Sequence, residues 1–438
     1  MQFKDQLTIS EAEWAAAEKY FNDPQNIDSN KMSRPRVGQE GFGIIKHSFL
    51  KVDGVIYAMD NKESKNKNGK YLGEGTYGKV SVVQTQNGDN FALKVEVPCK
   101  DEYRNIDLAI MKLMDRLIGT AIRVGKGLLK FKRRAHREVP GKFYTVQKLL
   151  PGMDLFDQVT QTKLTFTQKL LIAAKALKEI DFLHRNNVVH GDIKLENFMS
   201  LVNDLDITLN IIDFGFSQLL TADQTSIRLP FLVGTISYHA PEITQSSEFS
   251  FATDRYALGV MFTKYFPLPL YYSKPEQKLQ ALINKMLDTD PTKRPYLTRV
   301  RAQLNAVLAK RKDYTVPASD QAENAQLRYD AALQERNAVT TELASHHKSG
   351  VITRSVNFML AKGEEALKKQ LKEIDVEIAA AKTALAEFST SPQLDPELTA
   401  SKSLVYKYEQ ETALQLNSLE NKSLPAPTFD PSLKSNKL

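Results

Sequence analysis

The 438 residues include a single cysteine, Cys99, and a single tryptophan, Trp14. One cysteine excludes an intramolecular disulfide framework and a cysteine-rich zinc site, and predicts a reducing compartment. No apolar run approaches 18 residues, which predicts no transmembrane segment. The opening MQFKDQLTIS has no long apolar stretch, so no secretory leader and a cytoplasmic location are expected. Neither sign of charge dominates: hydrophobic residues make up 42% and charged residues 25%, with a net charge of +7. That balance excludes a chain disordered throughout. It is also too mildly basic to argue for nucleic acid as a partner.

The charge is uneven, with +10 over residues 1–316 and −3 over 317–438. A modest basic surface suits anionic ligands such as nucleotides, acidic proteins or lipid headgroups. The densest run, Lys130, Lys132, Arg133, Arg134, His136 and Arg137, reads as a solvated hairpin face or an anion-docking patch.

Several segments predict local structure. Ser10 and Glu13 form a capping box, with Ile9 and Trp14 placed as a hydrophobic staple at the start of a helix. SFLKV (48–52) and VIYAM (55–59) flank Asp53-Gly54, a strong hairpin signal. After a polar break at 61–70, three antiparallel strands are expected in KYLGEG, KVSVVQTQ and FALKVE, followed by helices that dominate from 166 to 310. Strands first and helices later predict an α+β unit of two lobes.

Past Pro317, Leu367, Leu371, Ile374, Ile378, Ala381, Leu385 and Phe388 step in a 4-3 pattern, a heptad seam. Ala325, Tyr329, Ala332, Val339 and Leu343 repeat the spacing on a helix near 320–345, and a third helix is expected near 398–420. Together they predict a helical hairpin or bundle ahead of an intermolecular coiled coil, with self-association or a partner through these helices as a further expectation. The tail SLPAPTFDPSLKSNKL reads as disordered.

The chemistry is concentrated in four places. Gly73, Glu74, Gly75, Gly78 and Val80 form a G-x-G-x-x-G-x-V loop, followed by β-favouring residues rather than a helix. Its glycines let backbone N–H groups approach phosphate, and Val80 can cover a planar base. Ala92-Leu93-Lys94 puts a lysine in an apolar strand, where an ammonium needs an anionic partner. In HGDIKLEN (190–197), Asp192 can accept a hydroxyl proton, Lys194 can neutralise a transferred phosphoryl group, and Asn197 can ligate a divalent metal. IIDFG (211–215) ends an apolar strand on the carboxylate of Asp213, which suits Mg²⁺.

At these residues the chain resembles the eukaryotic-type Ser/Thr protein kinase family over about residues 70–310. The resemblance implies a two-lobed protein-kinase-like fold, with a small β-rich N-lobe and a helical C-lobe. It implies ATP and Mg²⁺ as cofactors and a protein as substrate. Lys94 matches the strand lysine, Asp192 the catalytic aspartate, Lys194 the Ser/Thr-type catalytic-loop lysine, and Asn197 and Asp213 the metal ligands. The segment GTISYHAPE (234–242) resembles the close of an activation loop, DRYALG (254–259) the helix anchoring the catalytic loop, and Arg294 the partner of Glu242. Placing KLLPGMDLFD on the interlobe hinge makes Gln147 the gatekeeper. Lys148 and Leu150 then offer backbone groups to adenine, and Asp154 reaches the ribose.

The expected layout is an N-terminal extension over 1–69, a kinase domain over 70–312, a helical region over 317–424 and a tail over 425–438. Three departures stand out. Asp107 falls where the family has a helix glutamate, with Glu102 as fallback. Gly191 replaces the catalytic-loop arginine, which removes the cationic pocket for a phosphorylated loop and predicts activity without that phosphorylation. Only about 30 residues separate Gly259 from DPTKRP, so the substrate-docking helices are cut down. The HGD form also resembles small-molecule kinases of the aminoglycoside or choline type, and a pseudokinase scaffold is the rival of another class. The composition as a whole resembles effector kinases that intracellular bacteria deliver into host cells.

Overall fold

Alternating apolar residues shape the first of two units into which the chain divides, the one ending at Leu150. The computed structural model describes residues 7–388 apart from 27–30, 34–39, 42, 60–70, 76–77, 97–100, 124–127, 130–136, 139–141, 222, 271 and 349–353. The third expected helix, the tail, Cys99 and most of the basic run lie outside the described residues.

Helix α1 (Glu11–Asn22) starts at the predicted capping box, with Ser10 and Glu13 bonded reciprocally. Strand β1 (Lys31–Met32) precedes β2 (Ser48–Val52) and β3 (Val55–Met59), which form the predicted hairpin. Asp53 and Gly54 both take positive φ, 46° and 83°, as a two-residue hairpin turn requires. Then come β4 (Tyr71–Gly75), β5 (Gly78–Gln84), β6 (Asn90–Glu96), helix α2 (Asp101–Leu113) and β7 (Leu117–Arg123). The short pair β8 (Leu128–Leu129) and β9 (Arg137–Glu138) leads to β10 (Lys142–Lys148). The main sheet runs β1-β2-β3-β5-β6-β10-β7, with β4 paired to the end of β5 that β3 leaves open.

The hairpin at 48–59 is therefore part of this sheet, and its alternation shows why. Phe49 and Ala58, paired in register, face α1 with Trp14, Ala17 and Phe21. Leu50, Val52, Tyr57 and Met59 face the other way, into a core shared with Val83, Leu93, Tyr144 and Val146. The Asp53 carboxylate takes a hydrogen bond from the Thr120 backbone of β7, so the tip of the hairpin meets the far end of the strand order.

The second unit begins with β11 (Met153–Asp154), α3 (Leu155–Gln161) and α4 (Phe166–Arg185). Leu170, Ile172, Ala173, Ala176, Leu177, Ile180 and Leu183 are all buried, which makes α4 a core helix. Strand β12 (Val188–Val189), the hairpin β13 (Phe198–Asn203) and β14 (Asp206–Ile211), and β15 (Gln218–Leu219) frame the loops of interest. Strand β16 (Ile227–Arg228), α5 (Pro241–Ser246), β17 (Glu248–Phe249) and α6 (Phe251–Val260) follow. A π-helical turn at Met261–Tyr265 leads into α7 (Lys274–Met286) and α8 (Leu297–Leu308). Among the described residues, α7 is the α-helix that fills the shortened stretch, and its Leu279, Ile283 and Met286 are buried.

The predicted helical hairpin forms from α9 (Ala318–Lys348) and α10 (Arg354–Phe388). Leu367, Leu371, Ile374 and Ile378 of the heptad seam pack on Ala332 and Val339 of α9, so the seam is satisfied within the chain. Polar pairs tie α9 to the helices before it: Arg301 bridges Asp181 (2.7 Å) and Glu323 (2.8 Å), and Lys178 also reaches Glu323 (2.8 Å). Among the described residues, no helix is long and apolar enough to cross a membrane.

Candidate active site

The loop after β12 is fixed from below by one carboxylate. Asp254 of α6, itself buried, accepts the backbone N–H groups of His190 (2.8 Å) and Gly191 (3.0 Å) and pairs with His184 Nε2 (3.0 Å). Gly191 has φ 79°, and a Cβ there would stand 2.9 Å from the Phe216 carbonyl oxygen. The backbone therefore turns at a position where a side chain is both strained and blocked.

That turn presents Asp192, which is 5% exposed and held by three donors. Lys194 Nζ donates to Oδ2 (2.7 Å), Thr235 Oγ1 to Oδ1 (2.7 Å), and Asn197 Nδ2 to Oδ2 (3.1 Å). Lys194 also donates to Thr235 Oγ1 (3.0 Å), closing a triangle. Burial pushes the Asp192 carboxyl up, but the bonds from Lys194 and Thr235 and the lysine charge outweigh it. The group stays below the ordinary carboxylate range and is ionised at neutral pH.

The hairpin of β13 and β14 brings two distant oxygen donors to one end. Phe198 pairs with Ile211, and Ile212 N–H donates to the Asn197 carbonyl (2.8 Å), which closes the ladder between Asn197 and Asp213. Asn197 Nδ2 also donates to the Asp192 carbonyl (2.7 Å), which fixes its amide orientation and turns Oδ1 the other way. Asp213 has φ 63° and is exposed, whereas Phe214 is buried edge-on to His190 at 5.7 Å. A carboxylate and an amide oxygen are the hard donors that Mg²⁺ prefers, so the residues present fit the ion.

In the first unit, Lys94 Nζ lies 3.4 Å from Asp107 Oδ2 and 2.9 Å from Glu96 Oε1. Asp107 reaches the lysine despite its shorter side chain; Glu102 lies on α2 with its side chain outside the described residues. Gly73, Glu74 and Gly75 of β4 oppose Val80, Lys79 and Gly78 of β5, and the loop tip at 76–77 lies outside the described residues. Val80 pairs with Lys94 and buried Ala92 with Val82, so the phosphate-loop strand runs beside the lysine strand. Gln147 of β10 pairs with Ala92 of β6.

The hinge assignments are narrowed by the backbone. Lys148 N–H is committed to the Arg116 carbonyl (2.8 Å) and its side chain to Asp115 (2.5 Å), so of its two backbone groups the carbonyl is the one that could serve adenine. Leu150 follows, half-buried. Asp154 caps α3, accepting the Asp157 N–H (2.8 Å), so one carboxylate oxygen is already used; burial pushes its pKa up.

Strand pairing and packing anchor the segment between Asp213 and Glu242. Strand β15 pairs with β12, and β16 with β17. Ser226 Oγ donates to Glu248 (2.6 Å), and Leu220, Leu229 and Val233 join a buried cluster with Val189, Ile243 and Phe249. At its end Arg294, with no side-chain exposure, grips Glu242 bidentately (2.5 and 2.8 Å) and lies 4.9 Å over Tyr256. Sequence reasoning placed Arg294, Glu242 and Thr235 but missed Glu96 and Glu248. Glu96 is two residues from Lys94 on a strand and so shares its face, a signal that was available.

The family model for the protein kinase domain matches residues 66–304, more than half of the chain. The chain belongs to the protein kinase family. It is 30% identical to a calcium/calmodulin-dependent protein kinase of Metarhizium anisopliae over 203 residues, 46% of this chain and 50% of that protein. It is 30% identical to the calcium/calmodulin-dependent protein kinase cmkA of Emericella nidulans, over 49% of each chain. Serine/threonine-protein kinase 33 of Mus musculus is 27% identical, over 50% of this chain and 45% of that one. The chain thus spans about half the length of the curated relatives it matches.

Proposed function

We propose that this chain is an ATP-dependent Ser/Thr protein kinase. The observation that carries the reading is the triangle of Asp192, Lys194 and Thr235, backed by Asn197 and Asp213. Asp192 orients the acceptor hydroxyl and takes its proton at a carboxylate oxygen; its lowered pKa keeps it ionised for that task. Lys194 neutralises charge on the group in transfer. Lys94, oriented by Asp107, steadies the α/β-phosphates, and the backbone of Gly73, Gly75 and Gly78 covers them. Asn197 and Asp213 would hold Mg²⁺, and bound Mg-ATP would supply the transferable phosphoryl group. Val80 and Ala92 would border the adenine of bound ATP, the backbone of Lys148 and Leu150 would meet its edge, and Asp154 would serve the ribose.

The buried Glu242–Arg294 pair and Thr235 favour a protein acceptor over a small molecule. We further propose that the enzyme turns over without activation-loop phosphorylation. The pairing of β16 with β17, the Ser226–Glu248 bond and the absence of a side chain at Gly191 support this. Transfer of labelled phosphate from ATP to Ser or Thr of basic and acidic test proteins checks the reading. Label on no protein, with ATP still bound, would favour a scaffold or a small-molecule acceptor.

A further inference from the structure

His239 carries two buried ring nitrogens, and neither has a hydrogen-bond partner. A buried imidazole normally satisfies at least its N–H, because an orphaned donor keeps its full desolvation cost. The Val233 backbone favours the ring electrostatically, but no hydrogen bond of ordinary geometry forms between them. The imidazole instead lines a small cavity together with Gly191, Asp192, Thr253 and Asp254. The cavity has about 10 Å³ of room, the size of a single water molecule.

Gly234 shows how closely the polar atoms converge. It has φ 87°, and a Cβ built on it would meet the Gly191 carbonyl oxygen at 2.6 Å, His239 Nε2 at 3.3 Å and Asp192 Oδ1 at 3.4 Å. Any side chain here would fill the gap between the histidine and the proposed base. The two oxygens only accept hydrogen bonds, so a water between them donates both of its protons to them. It must then accept from the ring, which makes Nε2 the protonated nitrogen of the neutral imidazole.

We propose that His239 is a positioning residue for Asp192, acting through one water enclosed between them. The water, held by the ring N–H, buttresses the carboxylate on the side away from Lys194. His239 serves the base of the transfer reaction proposed above, and on that reading the proposal rests. Neutral His239 is the working form; a second ring proton sets a cation beside Asp192 and weakens it as a base. The groups facing the ring are Asp192 on the catalytic loop, with Lys194 and His190 behind it, Asp254 on α6, and Tyr238 on its own turn. Burial pulls the imidazole below its ordinary range, while the Val233 backbone and the Asp192 charge push it part of the way back.

Two variants separate the roles of the ring. His239→Leu removes the donor and the titration; kcat drops about tenfold, with KM for ATP and for protein unchanged. His239→Gln keeps an N–H donor without a titrating group. It restores most of kcat above neutrality and loses the fall in kcat that wild type shows as pH drops below the histidine range. A wild-type acid limb that persists in His239→Gln belongs to another group and overturns the proposal. The second readout is independent of turnover: histidine NMR of the full chain follows the His239 titration in wild type and in Asp192→Asn. Loss of the Asp192 charge moves the midpoint down, and an unmoved midpoint overturns the proposal. A wild type without transfer activity, but with the midpoint shift intact, counts against the kinase reading and leaves the link between His239 and Asp192 standing.

Discussion

Lys94 and Glu96 project from the same face of β6, and their charged ends lie 2.9 Å apart, closer than Lys94 lies to Asp107. Among the described residues the lysine meets a carboxylate of its own strand, Glu96, as well as Asp107 of the helix. Both Lys94 and Glu96 are largely buried, so the pair is little screened. On the proposed reading, Glu96 competes with phosphate oxygens for the same ammonium. Glu96→Gln tightens binding of an ATP analogue by roughly fivefold, the equivalent of about 1 kcal/mol. Asp107→Ala weakens it, since the lysine loses its anchor on α2. Calorimetric titration checks both signs, and unchanged or weaker binding in Glu96→Gln contradicts the competition.

Glu13 does more than close a capping box. Its carboxylate accepts the backbone N–H groups of Lys46 (2.7 Å) and His47 (3.1 Å) and contacts His47 Nδ1 (3.0 Å), tying α1 to the chain entering β2. Glu13→Ala leaves these donors unpaired and costs about 2 kcal/mol of stability. Burial raises the Glu13 pKa, but the bond from Lys46 and its other hydrogen bonds lower it further, so the folded value lies below the ordinary one. The folded state then binds fewer protons than the unfolded state. The contribution of Glu13 is present above its ordinary range and is lost as pH falls through the folded value. Urea unfolding of wild type from pH 3 to 7 shows this loss, and Glu13→Gln shows a flatter profile.

Arg294 is buried and bidentate on Glu242, so breaking the pair from one side strands a charge. Glu242→Ala destabilises the unit that follows Pro151 by about 3–5 kcal/mol. Replacing both residues with apolar ones recovers part of this loss. Chemical denaturation of the two single variants and the double variant measures the coupling directly.

The activation segment yields a prediction about modification. Ser226 donates to the Glu248 carboxylate, and exposed Thr225 precedes it. Thr225→Ala and Ser226→Ala keep turnover within about twofold, because packing and strand pairing hold the segment. Ser226→Glu sets a second anion against Glu248 and lowers turnover. A requirement for phosphate at either residue, seen as inactive alanine variants, contradicts the proposed independence. Thr235→Ala loses activity for a different reason, since Thr235 links Lys194 to Asp192.

Much of this architecture was legible because it is local. The hairpin at Asp53-Gly54, the capping box at Ser10 and Glu13, and the heptad seam of α10 each follow from residues a few positions apart. The loops carrying Asp192, Asn197 and Asp213 were legible for another reason: ordered motifs resemble a family whose chemistry constrains their spacing. What escaped depends on contacts between distant segments. The hydrogen bond from His47 to Glu13 spans 34 residues, and the Arg301–Asp181 pair spans 120. The joining of the first hairpin to the main sheet rests on a pairing of Ala58 and Met59 with Gln84 and Val83 that no local pattern announces. His239 gave no signal, because a histidine between Tyr238 and Ala240 acquires meaning only beside Gly234 and Asp192.

The central claim is that Asp192 is the base of phosphoryl transfer, and Asp192→Asn tests it most directly. Wild type and variant are compared for Mg²⁺-dependent transfer of labelled phosphate to protein, with nucleotide binding measured on the same samples. The account predicts label on Ser or Thr in the wild type alone, with nucleotide bound by both. Undiminished transfer by Asp192→Asn would contradict it.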